Sequence, residues 1–213
     1  MKTLYIIAGP NGAGKTTASQ TMLPEIWHCR EFVNADEIAR GLSPFNPGSM
    51  AIDAGRIMLK RIKELLQGNE SFSIETTLST RSYAKIIEEA HHNGFNVQLL
   101  FFWLPTPETA IERVRQRVLE GGHTIPTDVI RRRYSAGIKN LFEIYMPIVD
   151  SWMLVENQSN PRIIIAEYDG NEIDIHNETL YNKVNSYVSR RTRITCQRSG
   201  ESRVQHPAHE VHA

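Results

Sequence analysis

The residues best suited to chemistry lie near the amino terminus, at positions 9–17. They fit the phosphate-binding pattern Gly-x-x-x-x-Gly-Lys-[Ser/Thr] and are Gly9, Pro10, Asn11, Gly12, Ala13, Gly14, Lys15, Thr16 and Thr17. Glycines let the backbone wrap around a phosphate chain with its N–H groups facing the anion. Lys15 is then expected to reach the β- and γ-phosphates, and the Thr16 hydroxyl to bind Mg²⁺. The motif predicts binding of ATP and Mg²⁺, and the alternative is a glycine-rich turn without a ligand.

An acidic residue follows the second predicted strand. Residues 31–34 are predicted to form a short strand, and Asp36 stands just after it, where a helix begins. In an open parallel sheet the ligand crevice lies at the carboxyl ends of the strands, so Asp36 is expected to face the γ-phosphate. A carboxylate there suits a general base. The alternative is a carboxylate that caps the helix or sits in its first turn.

Glu75, Thr76 and Thr77 follow the third predicted strand, residues 71–74. A carboxylate and two hydroxyls at a strand end can bind the hydroxyl groups of a polar acceptor. We therefore predict that Glu75 and Thr77 bind such an acceptor. The alternative is that Glu75 pairs with a basic residue and the threonines cap the next helix.

Arginines are concentrated in a later segment, residues 107–135. Arg113 and Arg117 are four residues apart and share one face of a predicted helix. A Gly-Gly hinge and a second arginine-bearing segment, which includes Arg132, follow them. This pattern predicts a mobile lid that brings positive charge onto a transferring phosphoryl group. The alternative is that the arginines pair with nearby glutamates, such as Glu112, or stay solvated.

Apolar patterns place these residues in an α/β fold. We predict a P-loop NTPase-type, three-layer α/β/α domain with a mainly parallel five-stranded sheet and a helical lid. Residues 95–104 form the most apolar run and predict a central strand covered on both faces. Residues 136–157 are predicted to be mostly helical. The domain is expected to span residues 1–189, with a disordered polar tail at 190–213.

Composition restricts the partners. The chain has 213 residues, and its 24 Lys and Arg balance 24 Asp and Glu, so charge gives no case for nucleic acid or an anionic membrane. The two cysteines, Cys29 and Cys196, lack metal or redox spacing. No apolar run approaches the length of a membrane span, and no signal-peptide pattern precedes the first strand. We therefore expect a cytoplasmic protein with a small ligand.

Taken in order, these motifs resemble the zeta toxin family, and more closely its short bacterial branch of predicted ATPases. The resemblance covers about residues 1–170, through the motifs at 9–17, 34–39, 75–77, 121–126 and 132–134. Zeta toxins are kinases that use ATP and Mg²⁺ to phosphorylate a sugar hydroxyl of UDP-N-acetylglucosamine, and an antitoxin protein restrains them. The resemblance implies the same fold and this class of reaction.

The resemblance also implies roles for single residues. Lys15 and Thr16 would hold the phosphates and Mg²⁺, and Asp36 would be the catalytic base. Glu75 and Thr77 would contact the acceptor sugar, and Arg113 matches the lid arginine. Where zeta toxins have a second lid arginine, this chain has His123, which leaves the acceptor open. Other possibilities are a nucleoside or other metabolite kinase, and a nucleotide-hydrolysing switch that acts through a protein partner.

Replacing Lys15 with alanine tests the phosphate-binding motif. Because Lys15 is expected to contact the β- and γ-phosphates, Lys15→Ala should abolish phosphate transfer while leaving the protein folded. Steady-state phosphorylation and a thermal melt of the same preparation measure both effects. Unaltered turnover by the folded variant would contradict the assignment.

Overall fold

The computed structural model describes residues 1–198, and it gives side-chain surroundings for residues 1–188. The strands are β1 (Thr3–Ala8), β2 (Glu31–Val33), β3 (Phe72–Thr76), β4 (Asn96–Trp103), β5 (Ser151–Glu156), β6 (Ile163–Tyr168) and β7 (Ile173–Ile175). The α-helices are α1 (Lys15–Glu25), α2 (Ala35–Leu42), α3 (Ala51–Leu66), α4 (Tyr83–His92), α5 (Pro107–Leu119), α6 (Thr127–Asn140) and α7 (Glu178–Arg198). A 3₁₀ turn spans Pro47–Met50, and a π-helical turn spans Leu141–Tyr145.

All seven strands form one sheet in the order β2-β3-β1-β4-β5-β6-β7. The first five pair in parallel, whereas β6 and β7 are antiparallel additions at one edge. The predicted α/β class is confirmed, but the sheet has two strands more than the five predicted. Residues 151–156 account for one of them, since they form β5 rather than the end of the predicted helix. Trp152, Leu154 and Val155 are buried where β5 pairs with β4 and β6, and such aromatic and apolar residues pack well in a covered strand.

The strand order creates a crevice beside β1. The chain passes from β1 through β2 and β3 on one side, and then crosses to β4 on the other side. At such a reversal the loops at the carboxyl ends of the strands diverge and leave room for a ligand. The P-loop follows β1, Asp36 lies two residues beyond Asn34 at the end of β2, and Glu75 lies at the end of β3. The topology therefore gathers the predicted site residues at one edge.

Helix α6 and the π-helical turn after it pack against the loop that follows β3 and hydrogen-bond to it. Gly137 lies so close to this loop that an added Cβ atom would be 2.4 Å from the Thr77 carbonyl oxygen. Asn140 Nδ2 donates a hydrogen bond of 2.8 Å to the Leu78 carbonyl, and the Tyr145 hydroxyl donates to the Thr80 carbonyl. The predicted lid region is thus continuous with a helix that holds one wall of the site.

The last helix, α7, extends to Arg198. Residues 199–213, most of the predicted polar tail, lie outside the described residues, so the tail and the domain boundary stay predictions. Within the part of the chain that the structure describes, no helix combines the length and apolar character needed to cross a lipid bilayer.

Two helical glycines offer a matched test of the contact between α6 and the β3 loop. Gly137→Ala should destabilise the protein by about 1–3 kcal/mol, because the new methyl group overlaps a backbone oxygen. Gly55→Ala is the control, because a Cβ at Gly55 in α3 meets no atom within 4 Å, and alanine is better than glycine in a helix by about 1 kcal/mol. Thermal melts should therefore shift in opposite directions, and equal shifts would contradict the close contact.

Candidate active site

The P-loop lies against helix α5. Gly12 has a φ of +78°, and an added Cβ atom would lie 2.8 Å from the Ala110 carbonyl oxygen and 3.1 Å from Arg113 Cβ. On the other side, Asn157 Nδ2 donates a hydrogen bond of 2.6 Å to the Ala13 carbonyl. Glycine at position 12 therefore allows α5 to approach the loop, and Asn157 ties the loop to the end of β5.

Lys15 is buried at the start of α1. Its Nζ donates to the Pro10 carbonyl at 3.0 Å and lies 3.7 Å from Glu75 Oε1. Burial lowers the pKa of the Lys15 ammonium group, while the carboxylates of Glu75 and Asp36 act in the opposite direction. Because burial penalises the charged form, an anion brought against Lys15 is favoured. The contact of Lys15 with phosphates stays a prediction.

Glu75 lies against the P-loop. Its Oε2 accepts hydrogen bonds from Thr16 Oγ1 at 2.8 Å and from Asn34 Nδ2 at 2.9 Å. Its side chain is 10% exposed. Glu75 therefore pairs with a basic residue, as the alternative prediction for it required, and that residue is Lys15 of the P-loop. Thr76 caps no helix, since its Oγ1 accepts from the Leu78 backbone N–H at 3.1 Å.

The pair of Thr16 and Glu75 suits Mg²⁺ in its donor chemistry. Hydroxyl and carboxylate oxygens are ligands that this ion prefers, and it usually takes one or two carboxylates together with water and substrate phosphates. Within the described residues, no group of three or more His, Cys, Asp or Glu is placed to hold a metal. These residues therefore fit an ion that is shared with a bound nucleotide, rather than one held by the protein alone.

Asp36 lies in the first turn of α2, but it does not cap the helix. Asn34 does, because its Oδ1 accepts a hydrogen bond of 2.8 Å from the Asp36 backbone N–H. Within residues 1–188, the Asp36 carboxylate takes part in no hydrogen bond or ion pair. The carboxylate is therefore available to a ligand, while Asn34 fixes the backbone that carries it.

Two cavities meet at these residues. One, the phosphate cavity, has a volume of about 150 Å³ and is lined by the P-loop from Asn11 to Thr17 together with Arg113 and Arg117. The other, the side cavity, has about 210 Å³ and is lined by the loop after β3, with Met58, Tyr83 and Arg133. Four residues line both cavities: Asn11, Lys15, Asp36 and Glu75. Two ligands bound in these cavities would meet beside Asp36.

The two predicted lid arginines of α5 both reach the phosphate cavity. Arg117 Nε and Nη2 are buried and have no hydrogen-bond partner within the described residues. Arg115, by contrast, is exposed and pairs with Glu112 at 3.1 Å. Buried donors without a partner are costly. The two nitrogens of Arg117 are therefore suited to an anion brought into the cavity.

His123 does not supply the charge of a second lid arginine. Burial lowers its pKa; Asp36 opposes this effect, while Arg117, Arg40 and Arg133 add to it. Histidine with a pKa below its ordinary value of about 6.5 is neutral at pH 7. His123 lines neither the phosphate cavity nor the side cavity, but a neighbouring cavity of about 340 Å³ that also includes Arg40.

Arg133 is the site residue that sequence reasoning missed. It lines the side cavity, whereas the predicted candidate Arg132 is exposed and lines neither of the two cavities. The signal was present in the helical period, because Arg133 is three residues from Ile130 and four from Gly137, both buried. Arg133 thus shares the inner face of α6.

A known protein family and one sequence relative match this chain. A family model described as an AAA domain matches residues 4–139, more than half of the 213 residues. The chain belongs to the AAA domain family. An uncharacterized protein of Haemophilus influenzae is 32% identical over 126 residues, which cover 59% of this AAA domain chain and 88% of that relative.

Solved structures share the fold at low identity. A chain of the AvrRxo1-ORF1:AvrRxo1-ORF2 crystal structure with sulphate ions matches with a TM-score of 0.75 at 19% identity, over 88% of this chain and 64% of that one. The corresponding crystal structure with ATP matches with a TM-score of 0.72 at 19% identity, with the same coverage of both chains. A chain of the PezAT chromosomal toxin-antitoxin system of Streptococcus pneumoniae matches with a TM-score of 0.61 at 15% identity, over 94% of this chain and 87% of that one. The resemblance to the zeta toxin family is confirmed, and identities this low limit the structural likeness to the fold.

Arg117 and Arg115 form a matched pair for testing the lid. Arg117→Ala should lower kcat by about 10³-fold if its buried nitrogens contact the transferring phosphoryl group. Arg115→Ala in the same AAA domain should leave kcat unchanged, because Arg115 is exposed on the opposite side of the helix. Steady-state kinetics with a thermal melt of each variant measure the difference. Equal effects, or a loss of stability alone in Arg117→Ala, would contradict a role in transfer.

Proposed function

We propose that this AAA domain is a small-molecule kinase that transfers the γ-phosphoryl group of ATP to a hydroxyl of an acceptor. The observation that carries the proposal is the pair of cavities that meet at Asp36 and Lys15. A phosphate chain fits the phosphate cavity, and the side cavity provides a second binding place beside it. A nucleotide-hydrolysing switch has no need of a second cavity lined by threonines.

The proposed mechanism relies on position and charge. The P-loop backbone and Lys15 hold the phosphates, and Mg²⁺ bound through Thr16 would neutralise part of their charge. Asp36 orients the acceptor hydroxyl and takes its proton as the new P–O bond forms. Arg113 and Arg117 stabilise the negative charge on the transferring group. Each of these side chains lines the phosphate cavity.

Glu75 is given a role beside the nucleotide in this proposal. Its oxygens contact Thr16 and Lys15, so it positions both P-loop side chains, and together with Thr16 it would offer oxygen ligands to Mg²⁺. Thr77 and the adjacent residues Thr76, Ser79 and Thr80 bind the acceptor in this proposal. They line the side cavity but not the phosphate cavity. Arg133 gives this cavity a positive charge that suits an acceptor with an anionic group.

The comparisons support ATP as the donor and a toxin-like setting. A neighbour with the same fold was solved with ATP, and another comes from a toxin-antitoxin system. The chain spans 64% of the length of the AvrRxo1 chains that it matches. UDP-N-acetylglucosamine as acceptor, toxicity, a protein antitoxin and a cytoplasmic location are therefore part of the proposal. Other metabolite kinases share the phosphate-binding machinery and are the nearest alternative.

A metabolite panel tests the reaction directly. The purified protein is incubated with ATP, Mg²⁺ and candidate acceptors that include UDP-N-acetylglucosamine and nucleosides. Mass spectrometry should show the gain of one phosphate on an acceptor. Release of inorganic phosphate alone, with no phosphorylated acceptor, would instead favour the nucleotide-hydrolysing switch.

Asp36→Asn separates three roles of Asp36. The substitution keeps the shape of the side chain but removes the proton acceptor, so transfer should fall by about 10²-fold or more while ATP affinity is nearly unchanged. If Asp36 instead organises Mg²⁺, nucleotide affinity should fall along with the rate, and higher Mg²⁺ should partly restore both. Turnover, ATP affinity and Mg²⁺ dependence measured on this variant distinguish these outcomes. Full activity would exclude Asp36 from the site.

A further inference from the structure

Asn11 is a buried P-loop residue whose side chain has no role in the mechanism described so far. The P-loop pattern accepts any residue at this position. Asn11 is nevertheless only 6% exposed, and its Oδ1 atom is buried without a hydrogen-bond partner among the described residues. Leaving a buried amide oxygen unpaired costs about 1–3 kcal/mol. A donor supplied by a ligand would remove this cost.

The location of Asn11 indicates which ligand supplies the donor. It is one of the four residues that line both cavities, and the other three are the charged groups Lys15, Asp36 and Glu75. Asn11 is thus the one neutral side chain between the two cavities. The phosphates of a nucleotide offer oxygens, which are acceptors, and they leave a carbonyl oxygen such as Asn11 Oδ1 unpaired. A hydroxyl or N–H group of the second ligand offers the donor that the Asn11 oxygen lacks.

We propose that Asn11 binds the acceptor, through a hydrogen bond from an acceptor hydroxyl or N–H group to Asn11 Oδ1. This inference rests on the proposed kinase function. Since Asp36 receives the proton of the reacting hydroxyl, the donor to Asn11 is a second group beside it. The acceptor class is therefore a molecule that carries a second hydroxyl or N–H group besides the reacting hydroxyl. The P-loop then serves both substrates, and the acceptor is positioned by the same loop that holds the phosphates.

Three variants test the inference. Asn11→Ala removes both polar groups and should raise KM for the acceptor about 10-fold, with ATP affinity changed by less than about twofold. Asn11→Asp keeps an oxygen at the same place but adds a negative charge, so it should weaken ATP binding and leave the acceptor KM within about threefold of the wild-type value. Thr17→Ala is the matched control, because Thr17 lines the phosphate cavity alone. It should affect ATP affinity without changing the acceptor KM.

The acceptor probe is UDP-N-acetylglucosamine, or the compound that gains phosphate in the metabolite panel if UDP-N-acetylglucosamine does not. KM for each substrate, ATP affinity without acceptor, acceptor-independent ATP hydrolysis and a thermal melt are measured on every variant. The melting temperature of Asn11→Ala should not fall, because the substitution removes an unpaired buried oxygen, whereas loss of a merely structural contact would lower it. Equal acceptor KM in wild type and Asn11→Ala would overturn this inference alone. Absence of transfer by the wild-type protein to any acceptor would overturn it together with the proposed function.

Discussion

The buried carboxylate of Glu75 is the contact on which the site depends. It joins the end of β3 to Lys15 and Thr16 of the P-loop and to Asn34 at the end of β2. Burying a charge is costly unless it is paired and hydrogen-bonded. Glu75 meets this condition through contacts with all three neighbours. The same carboxylate therefore sets the relative positions of three strand ends, and through Asn34 it also fixes the turn that carries Asp36.

The arginines of the predicted lid differ from Glu75 in how they are paired. Arg117 has two buried nitrogens without an acceptor within the described residues, whereas the exposed Arg115 and Arg131 pair with Glu112 and Glu108. Unpaired buried donors are rare in proteins and call for an explanation. The two buried nitrogens of Arg117 are suited to an anion, whereas Arg115 and Arg131 already have acidic partners.

Sequence alone could predict the parts of the site that depend on local pattern. The P-loop is contiguous, and Asp36 and Glu75 each follow a short apolar strand, so the rule for parallel sheets brings them to one edge. It could not predict β5, because residues 151–156 are stabilised by pairing with β4 and β6 rather than by local preference. Arg133 was within reach of sequence reasoning, because its spacing from Ile130 and Gly137 places it on the inner face of α6.

The balanced net charge of the chain does not reveal the local charge of the site. The chain carries equal numbers of acidic and basic residues, yet Lys15, Arg113, Arg117 and Arg133 converge on the two cavities. Among the described residues, Asp36 and Glu75 are the only carboxylates that line them. Glu75 is already engaged by Lys15, so three arginines face one free carboxylate. This local excess of positive charge favours ligands that carry several negative charges, such as a nucleoside triphosphate. Within residues 1–188 the Asp36 carboxylate has no hydrogen-bond or ion-pair partner, so it differs from Glu75 in being available to a ligand.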